Sequence, residues 1–129
     1  MPDESIWIRI CTGIAIALFT AGGLIHAVDV WRNGWLPYDY VPYWVNAYWT
    51  SLLPLDFLAA FLLWRRSKMA IILALLIMIS DVWINTWSHN YLGDPTIFWG
   101  YIVQVLFLGF LLAIAWPYWR YAGVSPKKS

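Results

Sequence analysis

Four apolar stretches, each long enough to cross a lipid bilayer and joined by short connections, leave this chain few ways to fold. They read as residues 7–30, 42–64, 69–90 and 97–119. A helix of this length rises about 33 Å, against a hydrocarbon core of roughly 30 Å. Backbone N–H and C=O groups find no water inside a bilayer, so such stretches close their hydrogen bonds internally as helices. The expected fold is all-α: an integral membrane four-helix bundle, with residues 1–129 forming one domain. Composition agrees, since 62% of residues are hydrophobic and only 12% charged, about half the charged share of a soluble domain. A net charge of +1 gives no reason to expect nucleic acid as a partner. The single cysteine, Cys11, excludes an intrachain disulfide and a thiolate metal cluster. The acidic start, Pro2-Asp3-Glu4, lacks a cleavable signal pattern, so the first span is expected to act as the insertion signal.

Polar residues inside these spans carry the functional reading. The third span opens as MAIILALLIMI and then turns polar with Ser80, Asp81, Asn85, Thr86, Ser88 and His89. Asp81 falls about 18 Å along the span, near the bilayer midplane. Asp81, Asn85 and Ser88 lie within about 60° of one another on a helical wheel, with His89 at the edge. A central Asp costs roughly 3 kcal/mol on insertion scales, so it is expected to face other helices or a cavity. Two readings stay open, an intramembrane binding or proton-handling site and a buried polar clasp between helices.

The other spans add candidates. On the first, Thr12, Phe19, Gly22 and His26 share a face. His26 and Asp29, three residues apart, can meet on one side of the helix. That pair suits acid–base work or a helix cap. On the second, Asn46, Thr50 and Asp56 are the polar members and Pro54 is expected to bend the helix. Asn46 and Thr50 share a face, whereas Asp56 lies roughly 120° away on an ideal wheel. Asp56 and Asp81 fall at similar depth, so they are candidates for one site. Alternatively, Asp56 pairs with Arg65 or Arg66. The fourth span offers Gln104, read as interhelical glue or a ligand contact, and Asp94 with Pro95 is expected to cap its start. The loop WRNGWLPYDYVPYW, residues 31–44, reads as an interfacial anchor, a lid over a pocket, or both.

Orientation follows from the basic residues. Arg9, Arg65, Arg66, Lys68, Arg120, Lys127 and Lys128 lie on the side of the termini, with Arg32 opposite. The positive-inside rule then makes both termini cytoplasmic. His26, Asp29, Asn46, Asn85, His89 and Gln104 fall in the outer half, above an acidic floor at Asp81 and Asp56.

The sequence holds no nucleotide loop, metalloprotease helix or nucleophile elbow. Ser80-Asp81-Val82, then His89, a glycine turn, and Ile97-Phe98-Trp99 leading an apolar helix resemble the EXPERA superfamily, which includes the emopamil-binding sterol isomerases and the sigma-2 receptor. His26-Ala27-Val28-Asp29 looks like that family's His-plus-acid pair, and Lys127-Lys128 like its basic tail. The isomerases carry a glutamate early in the second span, where this chain has Asn46 or, later, Asp56. Their fourth-span Asn and Trp have no clear counterpart beyond Gln104, and the family's long acidic first loop is here short and aromatic. The resemblance implies four spans with cytosolic termini. It also implies a cavity for an apolar molecule with a polar or cationic head, where an acid stabilises a carbocation and a second group shuttles the proton.

The expected function is therefore binding of a sterol-like, isoprenoid or amine ligand, with a possible isomerase activity resting on His26, Asp29 and Asp81. Asn46, Thr50, Asp56, Asn85, His89 and Gln104 are expected to line the ligand site, and no metal or cofactor is expected. The alternatives are a non-catalytic accessory subunit of a larger membrane complex, and a haem or quinone subunit using His26 and His89. Membrane lipids are expected neighbours, and a homodimer or larger assembly stays open. The topology is testable in intact cells. Cysteines placed at Ser67 and Ser125 should be shielded from an impermeant thiol reagent, while cysteines at Asn33 or Asp94 should react. Labelling at Ser67 from outside would invert the orientation.

Overall fold

The two ends of the α2–α3 turn show how the helices are joined. The computed structural model describes residues 2–93 and 97–123. Four helices run through it: α1 (Pro2–Asn33), α2 (Tyr43–Trp64), α3 (Lys68–Leu92) and α4 (Ile97–Ala122). Each is long and apolar enough to cross a membrane. Asp94 and Pro95 lie outside the described residues, as do Ser125, Lys127 and Lys128. Between α2 and α3 the chain turns at Arg66, whose φ of 56° is left-handed for a side-chain-bearing residue. Ser67 then caps α3, its hydroxyl accepting the Met69 N–H at 3.2 Å. At the far end, Gly93 with φ 64° closes α3 by giving its N–H to the His89 carbonyl at 2.9 Å.

Neighbouring helices alternate in direction and pack as a ring. α1 lies mainly on α2 and α3 mainly on α4, while the α2–α3 and α1–α4 seams are thinner. Phe19, Leu52, Ala59, Leu63, Ala70, Ala74, Leu111 and Tyr118 are among the buried side chains of the main core. Alanines at these positions let backbones approach closely, which in lipid supplies the van der Waals contact that drives helix association. α2 runs unbroken through Pro54. The outer faces carry large apolar side chains, and nine of the eleven tryptophans are exposed, which suits a lipid-facing surface. Along the α1–α4 seam, Ile14, Leu18, Val103, Leu106, Phe107 and Phe110 line an open apolar groove of ≈ 260 Å³.

The terminal end of the bundle is tied by its basic turn. Arg66 donates from Nη2 to the Tyr121 carbonyl at 3.0 Å, with its guanidinium 3.9 Å from the centre of the Tyr121 ring. Lys68 Nζ sits 4.6 Å from the centre of the Trp119 ring. The Tyr118 hydroxyl donates to the Ser67 carbonyl at 2.7 Å. These contacts join the α2–α3 turn to the end of α4 and hold Arg66 in its left-handed geometry. Tyr118→Phe removes one of them without opening a cavity. It should lower thermal stability in detergent by about 1 kcal/mol, whereas Tyr43→Phe on the exposed start of α2 should not. Equal melting temperatures for both variants and the wild type would show that the tie contributes nothing.

Candidate functional site

The polar residues of α2 and α3 turn inward at mid-bundle. Asp56 is 7% exposed and Asp81 6%. They stand on adjacent helices, and Asp81 lies near enough to act electrostatically on Asp56. Both also act on the Tyr48 phenol, whose hydroxyl shares a 2.5 Å hydrogen bond with Ser80 Oγ. The third wall comes from α1. A Cβ added at Gly22 would lie 2.7 Å from Asp56 Oδ2, so a larger residue there would push the carboxyl out of its present position against α1. Of the two arginines in the α2–α3 turn, Arg66 donates from Nη2 to the Tyr121 carbonyl. Asp81 Oδ1 is buried with no hydrogen-bond partner.

A polar line continues from Asp81 toward the α1–α2 loop. The Asn85 side chain, one turn along α3, interacts with Asp81. Asn85 Nδ2 donates to Gln104 Oε1 on α4, and Asn85 Oδ1 accepts the Trp49 indole N–H at 2.9 Å. Three helices thus meet on one amide. Ser88 is 0% exposed, on the same face of α3, and its Oγ has no hydrogen-bond partner. His89 is half-buried at the end of α3, two turns beyond Asp81.

The loop end is closed by a clasp centred on Tyr38. Its hydroxyl donates to Asp29 Oδ2 at 2.7 Å and lies 2.7 Å from His26 Nδ1. Because the hydroxyl proton is given to Asp29, His26 Nδ1 must be the donor to Tyr38, which fixes the tautomer and leaves Nε2 as the acceptor. The sequence spacing suggested a direct His26–Asp29 contact. The structure instead places a phenol between them, because both side chains reach outward from α1 to the loop. Burial, then the hydrogen bond and charge of Asp29, push the Tyr38 phenol far above its usual range; burial also raises Tyr40, with Asp29 and Asp39 adding to it. Tyr38 therefore remains a donor.

Asn46 and Thr50 serve this clasp. Asn46 Oδ1 accepts the Tyr38 N–H at 3.0 Å, and Nδ2 donates to the Leu36 carbonyl at 3.0 Å. Thr50 Oγ1 donates to the Asn46 carbonyl at 2.8 Å. Leu36 has a left-handed φ of 56°, and the Asn46 amide bond holds that conformation. Tyr38 and Val41 pack with Val45 and Ile84 as a second apolar cluster, and the Trp49 ring lies 5.3 Å from the Tyr38 ring. Of the residues expected in the site, Asp81 interacts with Asn85, Asn85 bonds Gln104, and Asp56 lies within the electrostatic reach of Asp81. His26 and Asp29 join the loop clasp, where Asn46 and Thr50 support them. Tyr38, Trp49 and Tyr48 were not singled out by sequence, because nothing distinguishes them from the surrounding interfacial aromatics.

Compared with known proteins, the chain matches no family model, no curated protein and no solved structure.

The clasp has a thermodynamic signature. Tyr38→Phe and Asp29→Asn should each lower stability by about 1–2 kcal/mol, and the double variant should cost little more than the worse single one. Strict additivity in chemical or thermal unfolding would show that the two groups do not interact. A phenol whose pKa is raised on folding contributes fully below its ordinary value of 10.0. Stability should then fall as pH rises through that value, and Tyr38→Phe should lessen the fall.

Proposed function

We propose that this chain holds, inside the membrane, an apolar molecule with a polar or cationic head, and that the head pairs with Asp56 and Asp81. The observation that supports this most directly is the acid pair itself. Asp56 and Asp81 are both buried on neighbouring helices, Asp81 acts electrostatically on Asp56, and one oxygen of Asp81 has no hydrogen-bond partner. A carboxylate kept only as a clasp between helices would have its oxygens bonded across the interface. Like charges at close range repel, and a cation placed between them relieves that repulsion. Tyr48 and Trp49 on the same helix as Asp56 add aromatic faces of the kind that favour cations.

An isomerase reading extends this one. His26 lies one turn from Gly22, the residue that closes over Asp56. With Nδ1–H directed at Tyr38, Nε2 is the atom left to take up or release a proton. The EXPERA-like pattern in the sequence supports both readings, as the excess of basic residues beside the termini supports a cytoplasmic location for them.

The test is lipid extraction and mass spectrometry of protein purified in mild detergent. Wild type should retain a small molecule that Asp81→Asn and Asp81→Leu both lose, while stability changes by no more than about 1 kcal/mol, typical of intramembrane hydrogen bonds. Equal ligand content in wild type and Asp81→Asn would overturn the proposal and favour an accessory subunit of a larger membrane complex. A Soret band in the wild type would favour the haem alternative.

A further inference from the structure

We propose that the α1–α2 loop, residues 34–42, is a gate, and that its opening admits water along the inward face of α3 past Ser88 to Asp81. The acid pair then exchanges protons with the loop end of the bundle alone. This concerns how the pair is reached and holds whatever ligand the pair binds.

Three observations converge on it. First, Asp81 Oδ1 and Ser88 Oγ are both buried without a hydrogen-bond partner, and they lie on one face of α3 with Asn85 between them. Buried polar atoms are rarely left unpaired, and water is their commonest partner when the protein supplies none. Two such atoms in line, separated by an amide that binds Trp49 and Gln104, mark a route rather than an isolated defect.

Second, the two halves of the core differ in kind. From the acids toward the chain termini, the buried side chains are Ala59, Ala60, Leu63, Ala70, Ile71, Ala74, Leu111 and Ile114. Among the described residues, the buried hydroxyls there are already given away, Thr12 to the Ile8 carbonyl at 2.7 Å and Tyr118 to the Ser67 carbonyl at 2.7 Å. That leaves water few partners in this half. From the acids toward the loop, Asn85, Gln104, Ser88, Asn46 and Tyr38 succeed one another.

Third, the loop is built to be released. It is closed by the apolar contacts of Tyr38 and Val41 with Val45 and Ile84, and it is latched by a few polar bonds from Tyr38 and Asn46. Leu36 at φ 56° stores strain that these bonds hold. The titratable groups around the route are Asp56 and Tyr48 from α2 and Asp81 from α3. At its mouth stand His26 and Asp29 from α1, Tyr38 and Tyr40 from the loop, and His89 from α3; α4 contributes the neutral Gln104.

The test uses silver ion, which reacts with thiols in water-filled passages, on full-length protein in lipid nanodiscs. In a Cys11→Ala background, Ser88→Cys reports on the loop half and Ala74→Cys on the terminal half. Protection from later alkylation in denaturant, read by mass spectrometry, gives the rate, and the helical circular dichroism of each variant confirms the fold. Ser88→Cys should react, and adding Tyr38→Phe should raise its rate about tenfold, the effect of losing one charge-assisted hydrogen bond from the closed state. Ala74→Cys should stay unreactive in both backgrounds. A Ser88→Cys that stays inert with Tyr38→Phe would overturn the route, as would an Ala74→Cys that reacts equally fast. An unchanged Ser88→Cys rate on adding Tyr38→Phe would overturn the gating role of the loop. Ligand retention in Asp81→Asn is measured separately, so the two proposals fail independently.

Discussion

A carboxylate in hydrocarbon has nowhere favourable to point except inward, and the rest of this bundle is arranged around that constraint. Asp56 and Asp81 each fix the rotation of their own helix, since turning either one outward would expose an acid to lipid at a cost of roughly 3 kcal/mol. With α2 and α3 so oriented, α1 must pass beside Asp56, and Gly22 is the residue that allows it. The small residues around the lower core follow from the same geometry, because Ala59, Ala70 and Ala74 are fully buried where the helices come closest. Inward-facing acids also explain why the polar residues cluster in one half of the molecule. Asn85 supplies an uncharged partner next to Asp81 and is itself held by Gln104, at lower desolvation cost than a buried counter-ion.

The loop end obeys a different rule. There the backbone leaves the helices, and each exposed N–H or C=O needs a partner. Asn46 supplies two such bonds, one to the Tyr38 N–H and one to the Leu36 carbonyl. A single amide side chain on α2 thereby shapes the loop that brings Tyr38 against His26 and Asp29. The aromatic character of residues 31–44 has two separate causes. Trp31 and Trp35 are exposed, in keeping with anchoring, whereas Tyr38 is buried and polar-bonded at its tip.

Much of this was legible in the sequence, because membranes restrict folds so severely. Span lengths and the short Arg65–Lys68 connection suffice for four antiparallel helices. The helices overrun the expected spans at several ends, as at Asn33 and Leu92, because hydropathy marks the lipid-facing length and helical hydrogen bonding continues into the interface. The inward face of α3 follows from the spacing of Asp81, Asn85 and Ser88. The Asp56–Asp81 approach was open on an ideal wheel and depends on how two helices rotate against each other, a tertiary property that periodicity does not carry. Tyr38 was illegible for a different reason: a clasp residue in an aromatic loop has the same composition as an anchor. Asn46 and Thr50 read as site-lining residues by polarity, but their hydrogen bonds are taken by the loop and by their own helix.

The ring is made of two tightly packed hairpins, α1–α2 and α3–α4, meeting along thinner seams. Each hairpin carries one of the two acids. Asp56 is covered by Gly22 within the first, and Asp81 is linked through Asn85 to Gln104 within the second. The Trp49–Asn85 bond and the field between the carboxyls exist only across the seam. The acid pair is therefore a property of the finished molecule and of neither half during its biogenesis. A nascent first hairpin enters the bilayer with a lone acid already shielded by its own partner helix, and the second acid joins it only when the second hairpin docks.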